Sequence, residues 1–309
     1  MKRGYGMSNQ YKQGMASALG CAVWWGIMPI YWQMLQPISS LVIIFYRILL
    51  VAVVCFIMAL KVHGMAEIRR QFAVPGIKLR YFLAGVLITA NWSIYIWAVN
   101  ADMVIQTCIG YYIEPLIVCI FGVVLFKEKL DKFKIISLVL ASVGVGIVIV
   151  HFHQIPAVAI GLGATFALYA AMKKNYPMPP LMSLLFETIF LMPMALAVCI
   201  WMEVTGVGAL ASAGLGKYAL LMFCGLFTAF PLSLFANAAN KIDLFSLGLT
   251  EYISPTISLF ISIYLFKEPF DNIQLVAFAI IWVGLVFFSY GEFHKVKLMK
   301  EGKEDIPLE

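Results

Sequence analysis

Residues 111–131 read YYIEPLIVCIFGVVLFKEKLD, and residues 251–271 read EYISPTISLFISIYLFKEPFD, 140 positions further on. Tyr112, Ile113, Pro115, Ile117, Leu125, Phe126, Lys127, Glu128 and Asp131 recur as Tyr252, Ile253, Pro255, Ile257, Leu265, Phe266, Lys267, Glu268 and Asp271. Nine identities in 20 positions exceed what shared hydrophobicity gives. The same offset pairs Gly85 with Gly225, Asn100 with Asn240 and Gly144 with Gly284, and only the first and sixth apolar segments need a slightly different one. The chain therefore reads as a duplication, and the fold turns on how many segments each copy contains.

Of the 309 residues 62% are hydrophobic and 12% charged, a balance that argues against a soluble domain. A spanning helix needs about 20 mostly apolar residues. Apolar runs between charged or turn-forming breaks give ten: 14–35, 40–60, 81–99, 103–126 and 135–150, then 157–172, 181–202, 218–239, 244–266 and 273–290. The expected architecture is an all-α polytopic membrane protein. It divides into a tail at 1–13, a five-helix repeat at 14–150, a second at 157–290 and a tail at 291–309.

Loop cations give the sidedness, because lysine and arginine stay in the cytoplasm. With the N-terminus inside, inner regions hold 19 of the 22 and outer loops only Lys217 and Lys267, while Arg47 lies within the second segment. Both termini are expected to be cytoplasmic. An odd number of helices per copy means that the second repeat enters the membrane from the opposite side. Inverted repeats of this kind favour alternating access to a central site.

Four ionisable residues fall well inside segments: Arg47, Glu114, Glu187 and Glu251. A charge at the bilayer centre costs about 3 kcal/mol or more, so each is a functional candidate. Arg47 and Glu187 occupy equivalent positions in opposite leaflets, about 10 Å from the start of their segments at 1.5 Å per residue. They are not expected to pair, and snorkelling or holding a neighbouring helix is the alternative to function. Tyr111 and Glu114 share a helix face, and the repeat maps them onto Glu251 and Ser254. Pro115 and Pro255 follow the glutamates and free backbone carbonyls, which at that depth need a cavity or a polar partner. Glu114 and Glu251 are thus candidates for substrate binding and proton coupling, with Tyr111 and Ser254 beside them; protonated glutamates that merely join helices are the alternative. Asn91, Tyr95 and Trp25 at mid-helix are further substrate-binding candidates, and Pro29, Pro115 and Pro255 are candidate kinks.

Other chemistry is disfavoured. The charge of +6 lies in short loops, which reports orientation and not nucleic acid. All six cysteines sit in apolar stretches, unsuited to a disulfide framework. GxxxxGK[ST] and HExxH are absent, and Gly161 and Gly163 do not complete GxGxxG. The four histidines lie in loops or near segment ends, so no catalytic residue, metal or cofactor is expected. The expected partners are a small-molecule substrate, the lipid bilayer and a second copy in a homo-oligomer, with no nucleic acid. A membrane-embedded enzyme acting on a lipid, with Glu114 or Glu251 as acid/base, is the alternative class.

Several stretches resemble the RarD-type proteins of the EamA branch of the drug/metabolite transporter superfamily. These are Trp25-Gly26-Ile27 with Pro29, Asn91-Trp92 followed by Ile96-Trp97-Ala98-Val99-Asn100, Gly110-Tyr111 with Ile113 and Pro115-Leu116, Glu187-Thr188 with Pro193, and Tyr252-Ile253 with Pro255-Thr256. The resemblance runs along nearly the whole chain. It implies an inverted five-plus-five carrier in the bacterial inner membrane, with helices 1, 3, 4, 6, 8 and 9 around a central cavity.

Overall fold

The computed structural model describes residues 2–100, 104–152, 157–267 and 271–300, and no strand occurs among them. In chain order the helices are α1 (Lys2–Met34), α2 (Ser40–Phe72), α3 (Ile77–Asn100), α4 (Val104–Phe126), α5 (Lys132–Phe152) and α6 (Ala157–Asn175). There follow α7 (Pro180–Thr188), α8 (Met192–Val204), α9 (Ala209–Leu221), α10 (Cys224–Ala239), α11 (Leu244–Glu251), α12 (Ile253–Ile261), a π-helical turn (Ser262–Phe266) and α13 (Asn272–Lys300). By length and composition six described stretches can cross a membrane, or eight if the pairs α7/α8, bent by 59°, and α9/α10, bent by 43°, each make one span. The chain is a multi-pass helical membrane protein.

The helices differ from the apolar runs where hydropathy carries no signal. Residues 2–13 and 291–300, expected as tails, continue α1 and α13, because backbone hydrogen bonding does not stop where the apolar stretch does. The run 181–202 is broken between Thr188 and Met192, where Pro193 in the first turn of α8 has no N–H to give the preceding helix. The run 218–239 is divided after Leu221. Helices α1 and α4 pass through Pro29 and Pro115 without interruption, whereas the chain breaks at Tyr252, between α11 and α12, three residues before Pro255. The side chains of Asn100 and Cys108, with Glu268 and residues 301–309, lie outside the described residues.

Helix α4 packs on α6, α5 on α13, α11 on α4, α1 on α10 and α12, α3 on α6 and α7, and α2 on α7 and α10. In lipid such contacts rest on close packing, which small residues permit. A methyl group placed on Gly144 would lie 2.9 Å from the Ala277 carbonyl oxygen, and one on Gly284 would lie 3.3 Å from that of Ser137. Likewise Gly85 abuts the Glu187 carbonyl, and a methyl on Gly225 would lie 2.6 Å from the Leu50 backbone. Between these crossings an aromatic cluster of Trp25, Phe166, Tyr169 and Phe235 joins α1, α6 and α10.

Candidate functional site

At the lysine-rich end, buried charges hold several helices together. Lys134 of α5 lies 2.7 Å from Asp243 and 3.7 Å from Glu292 of α13, and Lys295 lies 3.6 Å from Asp243. The Ser246 hydroxyl donates to Asp243 at 2.7 Å and to Glu292 at 3.1 Å, and Tyr11 of α1 donates to Glu292. Asp243 also accepts from the Ser246 amide at 2.8 Å, while Glu128 accepts from the amides of Leu244 and Phe245 at 2.7 and 2.8 Å. Two carboxylates therefore cap the N-terminus of α11, where the helix dipole favours negative charge. Burial alone would raise the Asp243 carboxyl, but Lys134 and Lys295 prevail and hold it below the usual carboxylate range. The sequence reading used these cations only for orientation and missed the network; the repeated Lys127-Glu128 dipeptide was its one visible sign.

Glu187 is fully occupied. It forms an ion pair with Lys173 of α6 and accepts from Tyr169 at 3.1 Å and Ser183 at 2.9 Å, with the Lys173 and Glu187 side chains each only 2% exposed. Far from snorkelling, it ties α7 to α6. Arg47 has no such neighbour. Its guanidinium carbon sits 3.8 Å above the Trp92 ring and 5.3 Å from that of Trp32. Nε is buried with no hydrogen-bond partner among the described residues. A desolvated cation–π contact is worth about 2 kcal/mol, against an insertion cost of about 2.5–3.5 kcal/mol for a charge at mid-membrane, so the rings offset much of the cost and leave Nε–H without an acceptor among the described residues.

Glu114 of α4 and Glu251 of α11 flank the place where the two helices cross. Gly248 permits the crossing: a methyl there would lie 2.9 Å from the Pro115 carbonyl and 3.0 Å from the Cys119 nitrogen. On the other side of α4, Gly163 of α6 abuts the Glu114 backbone. Tyr252 donates to the Tyr112 carbonyl at 3.0 Å across the same crossing. Glu251 is 4% exposed, and its Oε1 has no hydrogen-bond partner among the described residues. Glu114 is half-buried and likewise accepts no hydrogen bond from them.

The remaining candidates divide. Tyr111 and Tyr95 are exposed, with ring centroids 5.9 Å apart, and Ser254 is half-buried. Asn91 is spent on a clasp from α3 to α6, donating to the Leu162 carbonyl at 2.8 Å and the Thr165 hydroxyl at 3.1 Å. Trp25 packs edge-on against Phe166. The structure thus brings together Glu114 and Glu251, sets Tyr111 a helical turn from Glu114, and places Asn91 and Trp25 in contacts between helices.

The multi-pass helical fold and the sequence relatives place the chain in the class of membrane transporters. The sequence pattern of the EamA-like transporter family matches twice, over residues 12–150 and 155–290, and the chain belongs to that family as a RarD-type member. It is 35% identical to a Bacillus subtilis protein named uncharacterized transporter YojE, covering 91% of this chain and 95% of the relative. It is 29% identical to protein RarD of Streptomyces exfoliatus, over 91% and 90% of the two chains, and 26% identical to protein RarD of Escherichia coli, over 91% and 95%. One solved protein structure superposes with a TM-score of 0.67 at 11% identity, covering 89% of this chain and 96% of the other, a likeness of fold alone.

Proposed function

We propose that this protein is a secondary carrier that moves a small organic solute, amino-acid-like or cationic and amphipathic, across the bacterial inner membrane by alternating access. It does so with ten spans in two inverted five-helix repeats, residues 14–150 and 157–290, and with both termini in the cytoplasm. The observation that carries the reading is the unpartnered Glu251 carboxylate beside Glu114. The carboxylates of Glu128, Glu187, Glu203, Asp243 and Glu292 all have hydrogen-bond donors. A buried polar group without a partner is costly unless a ligand or proton completes it.

The inverted repeat is supported by contacts that exchange under the 140-residue offset. Gly144 against Ala277 answers Gly284 against Ser137, and Tyr252 bonds to its own counterpart, Tyr112. Gly85 against α7 likewise answers Gly225 against α2. In the carrier, an ionised Glu114 or Glu251 accepts hydrogen bonds from a substrate amine, and a proton competes for the same oxygens.

Flux and counterflow in proteoliposomes, over a panel of amino acids, amines and antibiotics, test the carrier. Flux that depends on pH in the wild type and loses that dependence in Glu114→Gln or Glu251→Gln is the expected result. Absence of flux from folded protein across the panel overturns the carrier, and an unchanged pH profile in both variants removes the two glutamates from its site.

A further inference from the structure

We infer that Arg47 is an anion-binding residue of the translocation path and takes the carboxylate of the transported solute, which is then a zwitterion or an organic acid. This rests on the carrier reading above. The first observation is the missing counter-charge: Arg47 has no hydrogen bond or ion pair among the described residues, and its Nε is buried without an acceptor. Its aromatic neighbours do not remedy this. The Trp92 ring lies against the face of the guanidinium at 3.8 Å, whereas the N–H donors lie in the guanidinium plane, at its edge. Stacking engages the face and leaves the edge to a planar acceptor, for which a carboxylate is the matching group.

The second observation comes from the other half of the chain. Glu187 stands at the position equivalent to Arg47, 140 residues on, and its charge is neutralised by Lys173 of α6. The corresponding helix in the first half is α1, and what it presents to Arg47 is Trp32. One member of the related pair is neutralised by a lysine; the other has no acidic partner among the described residues. Trp32 and Trp92, against which the guanidinium sits, offer flat surfaces to the apolar body of a solute whose carboxylate lies at Arg47.

The test uses purified full-length protein in phosphate-free maltoside micelles, titrated with carboxylate/amide pairs: phenylacetate and phenylacetamide, benzoate and benzamide, L-phenylalanine and L-phenylalaninamide, L-leucine and L-leucinamide. Binding is read by tryptophan fluorescence and by thermal shift. At least one carboxylate should bind about tenfold or more tightly than its amide. Arg47→Gln should remove that preference, and Arg47→Lys, which keeps the charge without the fork, should retain part of it. Equal binding within every pair in the wild type overturns the inference, as does a preference that survives Arg47→Gln in protein of unchanged thermal midpoint. A response to phosphatidylglycerol that depends on Arg47, with none to the carboxylates, assigns the residue to a lipid headgroup and also overturns it. Proteoliposome flux separates the two readings: flux without carboxylate preference sinks only the Arg47 assignment, and Arg47-dependent binding without any flux sinks only the carrier.

Discussion

Replacing Glu187 with methionine should destabilise the protein severely without involving any solute. Lys173 and Glu187 are each 2% exposed, and the pair is completed by Tyr169 and Ser183. Breaking a buried pair on one side leaves an uncompensated charge and costs about 3–5 kcal/mol. Ordinary hydrogen bonds between membrane helices couple by only about 0.6 kcal/mol on average and about 1.7 kcal/mol at most. The two magnitudes do not overlap, so a double-mutant cycle discriminates. Glu187→Met and Lys173→Met should each cost about 3 kcal/mol or more, while the combined Lys173→Met/Glu187→Met variant should recover most of the loss, because an apolar pair of similar volume is often neutral. Recovery should stop short by about 1–2 kcal/mol, since the Tyr169 and Ser183 hydroxyls lose their acceptor. Equilibrium unfolding in mixed micelles, followed by tryptophan fluorescence, provides the four stabilities. A coupling below about 0.5 kcal/mol, or a double variant no more stable than the worse single one, refutes the structural role.

Asp243 supplies a pH test: burial would raise its carboxyl, yet Lys134 and Lys295 hold it low, so its contribution is complete above its unfolded value near about 4 and disappears as pH falls below that. Wild type should therefore exceed Asp243→Asn by about 1–3 kcal/mol at neutral pH, with the curves converging in acid; parallel curves refute the claim. Gly225→Ala, whose new methyl would lie 2.6 Å from the Leu50 backbone, should cost about 1–3 kcal/mol. Gly146→Ala in α5, which meets nothing within 4 Å, should be neutral or slightly stabilising in the same unfolding assay. Glu128→Ala removes two acceptors from the N-terminus of α11 and should cost about 1–2 kcal/mol; faster thiol labelling of the buried Cys119, which sits against Phe245, should accompany it.

The helical, multi-pass fold was legible because apolar runs report membrane crossing directly, and the described residues of the runs lie mainly on helix. Breaks inside runs were less legible: the 59° bend after Thr188 depends on how Pro193 restarts a helix, which apolarity does not register. Of the candidate site, Glu114 and Glu251 could be singled out because an intramembrane carboxylate is rare and the repeat aligns their helix faces. Partners could not be read, because packing supplies them. Lys173 was counted as a loop cation, but α6 extends to Asn175 and buries it opposite Glu187. Lys134, Asp243 and Glu292 are brought together from three distant parts of the chain where α5 packs on α13 beside the start of α11.

That network also gives the duplicated chain a direction. Subtracting or adding 140 converts Lys134 to Gln274, Asp243 to Met103, Ser246 to Gln106 and Glu292 to Phe152, so the opposite end has no charged counterpart at these positions. Identical inverted repeats would make the two access states equal in energy; in the carrier proposed above, the charged network would favour the state in which its end is closed. A carrier biased in this way reaches the other state only when a ligand binds that state more tightly, and reversing a 99:1 bias takes a difference of about 5.5 kcal/mol. Helix α11 is where such a difference can act. It has eight residues, about 12 Å at 1.5 Å per residue, and Asp243 and Glu128 hold its N-terminus while Glu251 is its last residue. In the proposed carrier, solute or proton at Glu251 and the charged network at Asp243 would therefore pull on opposite ends of one short element, which breaks from α12 at Tyr252.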